Sequence, residues 1–173
     1  RWNRTINLTA LPLTGFPKRS LDRLLGEPLA AATLAPFEGT WFDLGSGGGS
    51  PAIPLKIVRP GLSLALVESR ERKCAFLREV VRELSLDRAK VLTERIEKLP
   101  EMSPAPAADL VSARAVRVEE GLVTSVRSIL RPGGRFLLFS SLDQPVPDLP
   151  GFALGEQLDL KELGTIVMSF VRR

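Results

Sequence analysis

Apolar residues along this 173-residue chain recur at two periods, and the switches between them mark the elements. Over residues 17–35, Leu21, Leu24, Leu25 and Leu29, with the neighbouring alanines, keep a helical spacing. Pro28 falls inside that stretch and predicts a break or a new first turn, because proline lacks an N–H and its ring crowds the preceding turn. Residues 40–44 form a short apolar strand that runs into Gly45-Ser-Gly-Gly-Gly49. Helical spacing resumes over 52–59 through Ile53, Ile57 and Val58, and Pro60-Gly61 stops it. Residues 62–67 are almost continuously apolar, which suits a strand covered on both faces. Residues 71–86 predict the clearest helix: Leu77, Val80, Val81 and Leu84 share one stripe, with Arg78, Glu79, Arg82 and Glu83 on the other.

The second half continues the alternation. It reads as a strand at 90–93, a Pro- and Ala-rich loop at 101–108, a strand at 109–112 and a helix at 119–130. An Arg131-Pro-Gly-Gly134 turn then leads to a strand at 135–140. After a Pro-rich loop, two closing strands around 152–160 and 165–171 have no helix between them. Alternating strands and helices predict an α/β fold, a doubly wound Rossmann-like sheet that is mostly parallel. The closing pair predicts an antiparallel C-terminal edge. The length fits a single domain over 1–173, with residues 1–36 as an N-terminal helical cover.

Composition narrows the chemistry. The chain has no histidine and one cysteine, Cys74. Ser–His–Asp and Cys–His catalytic pairs, an internal disulfide and the usual Cys/His zinc site are therefore excluded, and no metal is expected. Hydrophobic residues make up 44% and charged residues 25%, ordinary for a soluble globular domain. No apolar run is long enough for a bilayer and no basic-then-apolar leader is visible, so a cytoplasmic protein with no membrane partner is expected. The net charge of +4 is carried by residues 1–23, where Arg1, Arg4, Lys18, Arg19 and Arg23 face only Asp22. A basic edge on a neutral body suits an anionic partner.

The most informative stretch is Phe42-Asp-Leu-Gly-Ser-Gly-Gly-Gly-Ser50, which ends a strand and opens a helix. Glycines there let the backbone turn sharply and approach a ligand closely. Glu68, at the end of the next strand, can accept hydrogen bonds from a ribose diol. Loop and carboxylate together point to an adenosine-containing cofactor. The nicotinamide frame fails at its third glycine, which is Ser50. Asp43 stands where it can reach a ligand amino group, and the Asp–x–Gly–x–Gly–x–Gly pattern is that of S-adenosylmethionine methyltransferases.

Five segments in order sharpen this: Trp2-Asn-Arg-Thr-Ile-Asn-Leu-Thr9, Asp43-Leu-Gly-Ser-Gly-Gly-Gly-Ser-Pro-Ala-Ile-Pro-Leu55, Glu68-Ser-Arg-Glu-Arg-Lys-Cys-Ala-Phe-Leu77, Arg95-Ile-Glu97 and Ser112-Ala-Arg-Ala115. Together they resemble the RsmG (GidB) family, bacterial methyltransferases that methylate a guanine N7 in small-subunit ribosomal RNA. The resemblance runs from residue 2 to about 140. It implies S-adenosylmethionine as cofactor and ribosomal RNA, or a precursor of the small ribosomal subunit, as partner. By the same resemblance Gly45 and Gly47 pack against the cofactor, with Ser50 at the mouth of the loop. Glu68, where the family more often has Asp, holds the ribose. Ile96 and Glu97 flank the adenine, and Arg114 lies near cofactor and target base in a positioning role. Asn7, Arg19 and Arg23 fall on the substrate side, Asn7 shaping the cover.

The chain also departs from the family pattern. Arg19 and Arg23 stand where His and Ser are usual, Ala52 replaces a glycine, and Ser140-Ser141 replaces Lys–Gly. These changes leave the cofactor half intact and alter the substrate half. The implied reaction is in-line methyl transfer to a nitrogen that carries a lone pair and no proton, so no general base is needed. Phe16, Trp2 and Phe139 are candidates to stack on a base, although burial in the core is the first expectation for each. A monomer is expected. Two other readings stay open: a family relative with a different methyl acceptor, and a non-catalytic RNA-binding module that keeps the fold.

Overall fold

Leu62, Leu64, Ala65, Leu66 and Val67 are all buried, so the continuous apolar run is a strand covered on both sides. It is one of seven strands in the computed structural model, which describes residues 2–102 and 107–173. They are β1 (Glu38–Leu44), β2 (Gly61–Glu68), β3 (Ala89–Thr93), β4 (Ala108–Arg114), β5 (Leu130–Ser141), β6 (Phe152–Leu160) and β7 (Thr165–Arg172). The sheet order is β3-β2-β1-β4-β5-β7-β6. The first five strands run parallel, and β7 pairs antiparallel with both β5 and β6. The expected mostly parallel sheet with an antiparallel C-terminal edge is therefore present.

Side chains alternate between two cores, one on each face. Trp41, Leu64, Leu66, Leu110, Leu137 and Phe139 join one core, with Ala31, Ile53, Leu55 and Leu77. Those last four come from α3 (Glu27–Ala31), α4 (Ala52–Val58) and α5 (Glu71–Glu83). Leu44, Val67, Val111, Phe136 and Leu138 join the other, with Leu122, Val126 and Ile129 of α7 (Glu120–Ile129). Two short helices complete the chain, α1 (Trp2–Ile6) and α2 (Lys18–Leu21), with one further turn, α6 (Leu99–Met102).

Three local expectations change. Helical backbone continues from α2 through a π-helical stretch (Asp22–Gly26), α3 and a 3-10 turn (Ala32–Leu34). Pro28 begins a new first turn but makes no break, because the wider π stretch absorbs the missing N–H. The carbonyl of Leu24, which Pro28 cannot satisfy, instead accepts the Ser50 hydroxyl at 3.0 Å. Second, the Arg131–Gly134 turn is an irregularity within β5: Ala108 pairs with Leu130 and the ladder resumes at Leu110 with Arg135. Third, the expected loop at 101–108 overlaps the end of α6 and the start of β4, and residues 103–106 lie outside the described residues, as does Arg1.

Parallel pairing brings the carboxyl ends of the strands to one edge. Asp43 lies level with Leu66 on one side and Ser112 on the other, and Arg114 level with Phe139. A crevice outside that edge is where a doubly wound sheet holds its ligand.

Candidate functional site

The glycine loop is shaped by the strand beside it. The N–H groups of Gly45 and Ser46 both donate to the carbonyl of Val67, at 2.9 and 3.0 Å, which turns the chain across the end of β2. Gly49 has φ +87°, and a Cβ there would come within 2.8 Å of Ile53, so this turn excludes side chains. Glu68 is only 7% exposed. Its Oε2 accepts the Gly47 N–H at 3.1 Å and its Oε1 accepts the Arg70 N–H at 2.9 Å. One carboxylate thus ties the loop to the first turn of α5. Each oxygen keeps a lone pair free for a ligand hydroxyl.

Asp43 is almost fully buried at 1% exposure. Its Oδ1 accepts the Ser112 hydroxyl at 2.5 Å, and Ser112 accepts the Trp41 indole N–H at 2.9 Å. Its Oδ2 has no hydrogen-bond partner among the described residues. Burial raises the Asp43 carboxyl from 3.8 to about 6, against the opposing pull of its hydrogen bonds and of Arg114.

Arg114, at the end of β4, is the hub of the other side. Its Nη1 donates to the carbonyl of Arg23 at 3.0 Å and to Ser50 Oγ at 2.9 Å. Its Nη2 pairs with Glu27 at 2.7 Å, and Glu27 also lies 3.8 Å from Arg23 Nε. Burial pulls the Arg114 guanidinium below the usual arginine range, and Glu27 opposes that pull. Glu27 itself is 1% exposed. Sequence reading passed over this acid, although its i,i+4 spacing from Arg23 and its place on an apolar stripe were visible signals.

Open space follows the sheet edge in lobes that share lining residues. One of about 310 Å³ is lined by Gly45, Val67, Glu68, Ser69, Glu94, Arg95, Ile96 and Glu97. The 3-10 turn Ile96–Lys98 therefore faces Glu68 across this lobe. A second, of about 460 Å³, shares Gly45 and adds Gly47, Ser50, Lys73, Arg114, Val116 and the segment from Leu8 to Leu11. A third, of about 260 Å³, lies between Arg114 and Ser140-Ser141. Arg19 and Arg23 line a further space of about 510 Å³ with Leu11 and Ser141. Gly45, Gly47, Ser50, Glu68, Ile96, Glu97, Arg114 and Arg23 thus line one edge, Asp43 lies buried at the end of β1 behind it, and Arg19 stands in the space beyond.

The N-terminal segment crosses this edge. Trp2 packs edge-on against Phe76 of α5 at 5.8 Å. The Leu8 carbonyl lies so close to Gly48 that a Cβ there would be 3.0 Å from it. Asn7 is exposed and left-handed, with φ +49°, a conformation asparagine tolerates. The hydrogen bonds come from Asn3, which sequence reading missed. Its Oδ1 accepts the N–H groups of Leu8 and Thr9 at 2.8 and 2.9 Å, and its Nδ2 donates to the Thr9 carbonyl at 3.2 Å. Phe139 is core, as expected. Phe16 is not: it is 72% exposed on a turn after Gly15. Trp2 is also partly exposed. Among the described residues, no three His, Cys, Asp or Glu side chains gather as a metal site, and no helix is long and apolar enough to cross a membrane.

Comparison with known proteins agrees with this geometry. The family model described as GidB, rRNA small subunit methyltransferase G, matches residues 1–144. A ribosomal RNA small subunit methyltransferase G of Xanthomonas euvesicatoria pv. vesicatoria (strain 85-10) is 40% identical over 162 residues, covering 90% of this chain and 72% of its own. One from Stenotrophomonas maltophilia (strain K279a) is 40% identical over 154 residues, covering 87% and 68%. Among solved structures, a SAM dependent methyltransferase from Aquifex aeolicus superposes with a TM-score of 0.68 at 14% identity, over 88% of this chain and 93% of its own. MtNAS in complex with MTA and tNA also gives 0.68, at 17% identity, over 90% and 60%. At such identities those two speak for the fold alone. Sequence relatives and family model cover the glycine loop, Glu68 and Arg114 alike, and the chain belongs to the GidB family of rRNA small subunit methyltransferases G.

Proposed function

We propose that this chain is an S-adenosylmethionine-dependent methyltransferase that acts on N7 of a guanine in small-subunit ribosomal RNA. The observation that carries this is the crevice at the carboxyl edge, where Glu68 braces the Gly45–Gly49 loop and the buried Asp43 Oδ2 lacks a partner among the described residues. The residues fit the cofactor. Glu68 has lone pairs free for a ribose, Ile96 offers an apolar face for an adenine and Glu97 a polar one, and Gly45 and Gly47 allow close approach. Asp43 offers a carboxylate toward a ligand ammonium, and Ser50 with Arg114 closes the far wall.

Bound there, the cofactor supplies a methyl group on an electron-poor sulfur. The chain's own work is proximity and orientation. Arg114 is held by Glu27, Ser50 and the Arg23 carbonyl, so it serves as a fixed positioning cation rather than a base. Guanine N7 already carries its lone pair, so a site without histidine is sufficient. Arg19 sits beyond the crevice and Arg23 lines it, both placed to take RNA phosphates, and Asn7 shapes the cover beside them. We read residues 1–173 as one domain with 1–36 as its cover, working as a cytoplasmic monomer.

Calorimetry with S-adenosylhomocysteine tests the cofactor: binding is expected, and none at millimolar ligand refutes the reading. Ribosomal RNA from cells with and without the gene tests the acceptor. Loss of one N7-methylguanine on deletion is expected. An unchanged guanine, with another methyl group lost instead, would move the acceptor elsewhere.

A further inference from the structure

The two main lobes of the crevice differ in charge. The lobe at Glu68 also carries Glu94 and Glu97, against Arg95. The lobe beyond the shared Gly45 carries Arg23, Lys73 and Arg114 and no carboxylate. Two of those three cations already share Glu27. Lys73 is in no ion pair among the described residues. Its ammonium stands over the glycine loop, 3.9 Å from where a Cβ on Gly47 would be.

Its position in the chain adds a second observation. Lys73 lies in the first turn of α5, three residues after the N-cap Arg70. The helix dipole disfavours a cation there, so helix stability alone does not account for it. The backbone of this turn is held: the next residue, Cys74, is buried and donates its Sγ–H to the Glu68 carbonyl at 3.1 Å. That contact fixes the turn that presents Lys73 to the lobe.

We propose that Lys73 is the anion subsite of the crevice, pairing its ammonium with the carboxylate of the methionine part of the cofactor. This rests on the reading of the crevice as an S-adenosylmethionine site. With the adenosine at Glu68 and Ile96, the amino-acid end must extend past Gly45 into the cationic lobe. Lys73 there selects ligands that keep the carboxylate and sets which way the molecule lies.

Calorimetry on the full chain with four ligands tests it: S-adenosylmethionine, S-adenosylhomocysteine, decarboxylated S-adenosylmethionine and methylthioadenosine. Lys73→Met is expected to weaken the first two about tenfold, the scale of one charge-assisted hydrogen bond at a half-exposed site. The two ligands without a carboxylate should stay within about twofold. Lys73→Glu should tighten decarboxylated S-adenosylmethionine relative to the unaltered chain, a reversal that damage to the loop cannot produce. Equal losses for all four ligands would overturn the proposal. So would unchanged binding of all four with weaker RNA association, which would make Lys73 a phosphate contact. If the unaltered chain binds none of the four, the cofactor reading itself fails, and this proposal with it.

Discussion

The two sides of the crevice are held by different physics. The cofactor side is built into the sheet: β1 and β2 end side by side, the loop hangs from the Val67 carbonyl, and Glu68 is locked by two backbone N–H groups. The N-terminal side is a strap. Short helical pieces over residues 2–34 are fastened by single side chains: Asn3 to its own segment, Ser20 to the Pro12 carbonyl at 2.6 Å, and Glu27 to Arg114. A sheet edge spreads its stability over many ladder bonds, whereas a strap depends on each fastening. The strap, which holds Arg19 and Arg23 of this chain's departures from its family pattern, meets the sheet edge at a few points: Glu27 on Arg114, Leu24 on Ser50 and Leu8 on Gly48.

The strongest way to break that contrast is through Glu27, the buried acid that joins the two sides. Glu27→Ala leaves the Arg114 guanidinium buried without its counter-charge, and removal of one partner of a buried pair costs roughly 3–5 kcal/mol. Denaturant unfolding should show a loss of that order. A loss below about 1 kcal/mol would mean that water reaches Arg114 and that the strap is looser than its contacts imply.

Asp43 tests the cofactor side from within. Its folded value of about 6 lies above its ordinary 3.8, so the folded chain keeps a proton that the unfolded chain releases. Stability therefore falls as pH rises from about 4 to about 6, by up to about 3 kcal/mol, and stays lower above that. Asp43→Asn should flatten this part of the pH–stability curve, measured by urea unfolding at pH 4 and 7. A slope that survives the substitution would move the titration to another group. By the same linkage, an ammonium arriving at Asp43 should expel a proton when ligand is added near pH 6. Calorimetry in buffers of different ionisation enthalpy detects that, and Asp43→Asn should abolish it.

Asn3→Ala addresses the strap's own fastening. It removes three hydrogen bonds to the chain around Leu8 and Thr9. The expected loss is about 1–2 kcal/mol, most visible as faster hydrogen exchange at the Leu8 and Thr9 amides. Amides in β1 and β2 should keep their protection, and if they do not, the strap and the sheet open together.

What could be read before the structure follows the same division. Strands and helices of the sheet declared themselves because a two-faced sheet forces continuous apolar runs, as in β2, and its helices force stripes, as in α5. Glycines and Glu68 were legible because backbone turns of this kind admit few residue types. Asn3 was not, since it acts across a turn that no local pattern encodes, and Glu27 showed only its i,i+4 spacing from Arg23, while its main partner lies far off in sequence. Arg114 meets Glu27 across 87 residues. Pro28 does begin a new first turn, and no break follows because its missing N–H is absorbed by a π stretch and by a serine on a different element. Phe16 misled for a simpler reason: an aromatic residue is usually interior, and that expectation outweighed the turn signals of Gly15 and Pro17 on either side of it.

The smallest effect separates the two sides most cleanly. Arg19 is exposed at the outer space next to Ser141, away from the glycine loop. Were it one phosphate contact to single-stranded RNA, Arg19→Gln would remove one released counterion. The log–log salt slope of RNA binding should then fall by about 0.7, and affinity at 0.1 M salt by about fivefold. Affinity for S-adenosylhomocysteine should not move, because neither Glu68 nor the loop touches this arginine. Filter binding across a salt series and calorimetry on the same variant give both numbers. A fall in both would show the strap acting on the cofactor side. An unchanged RNA slope would return Arg19 to an ordinary solvated charge and leave Arg23, which lines the crevice itself, as the cation to test next.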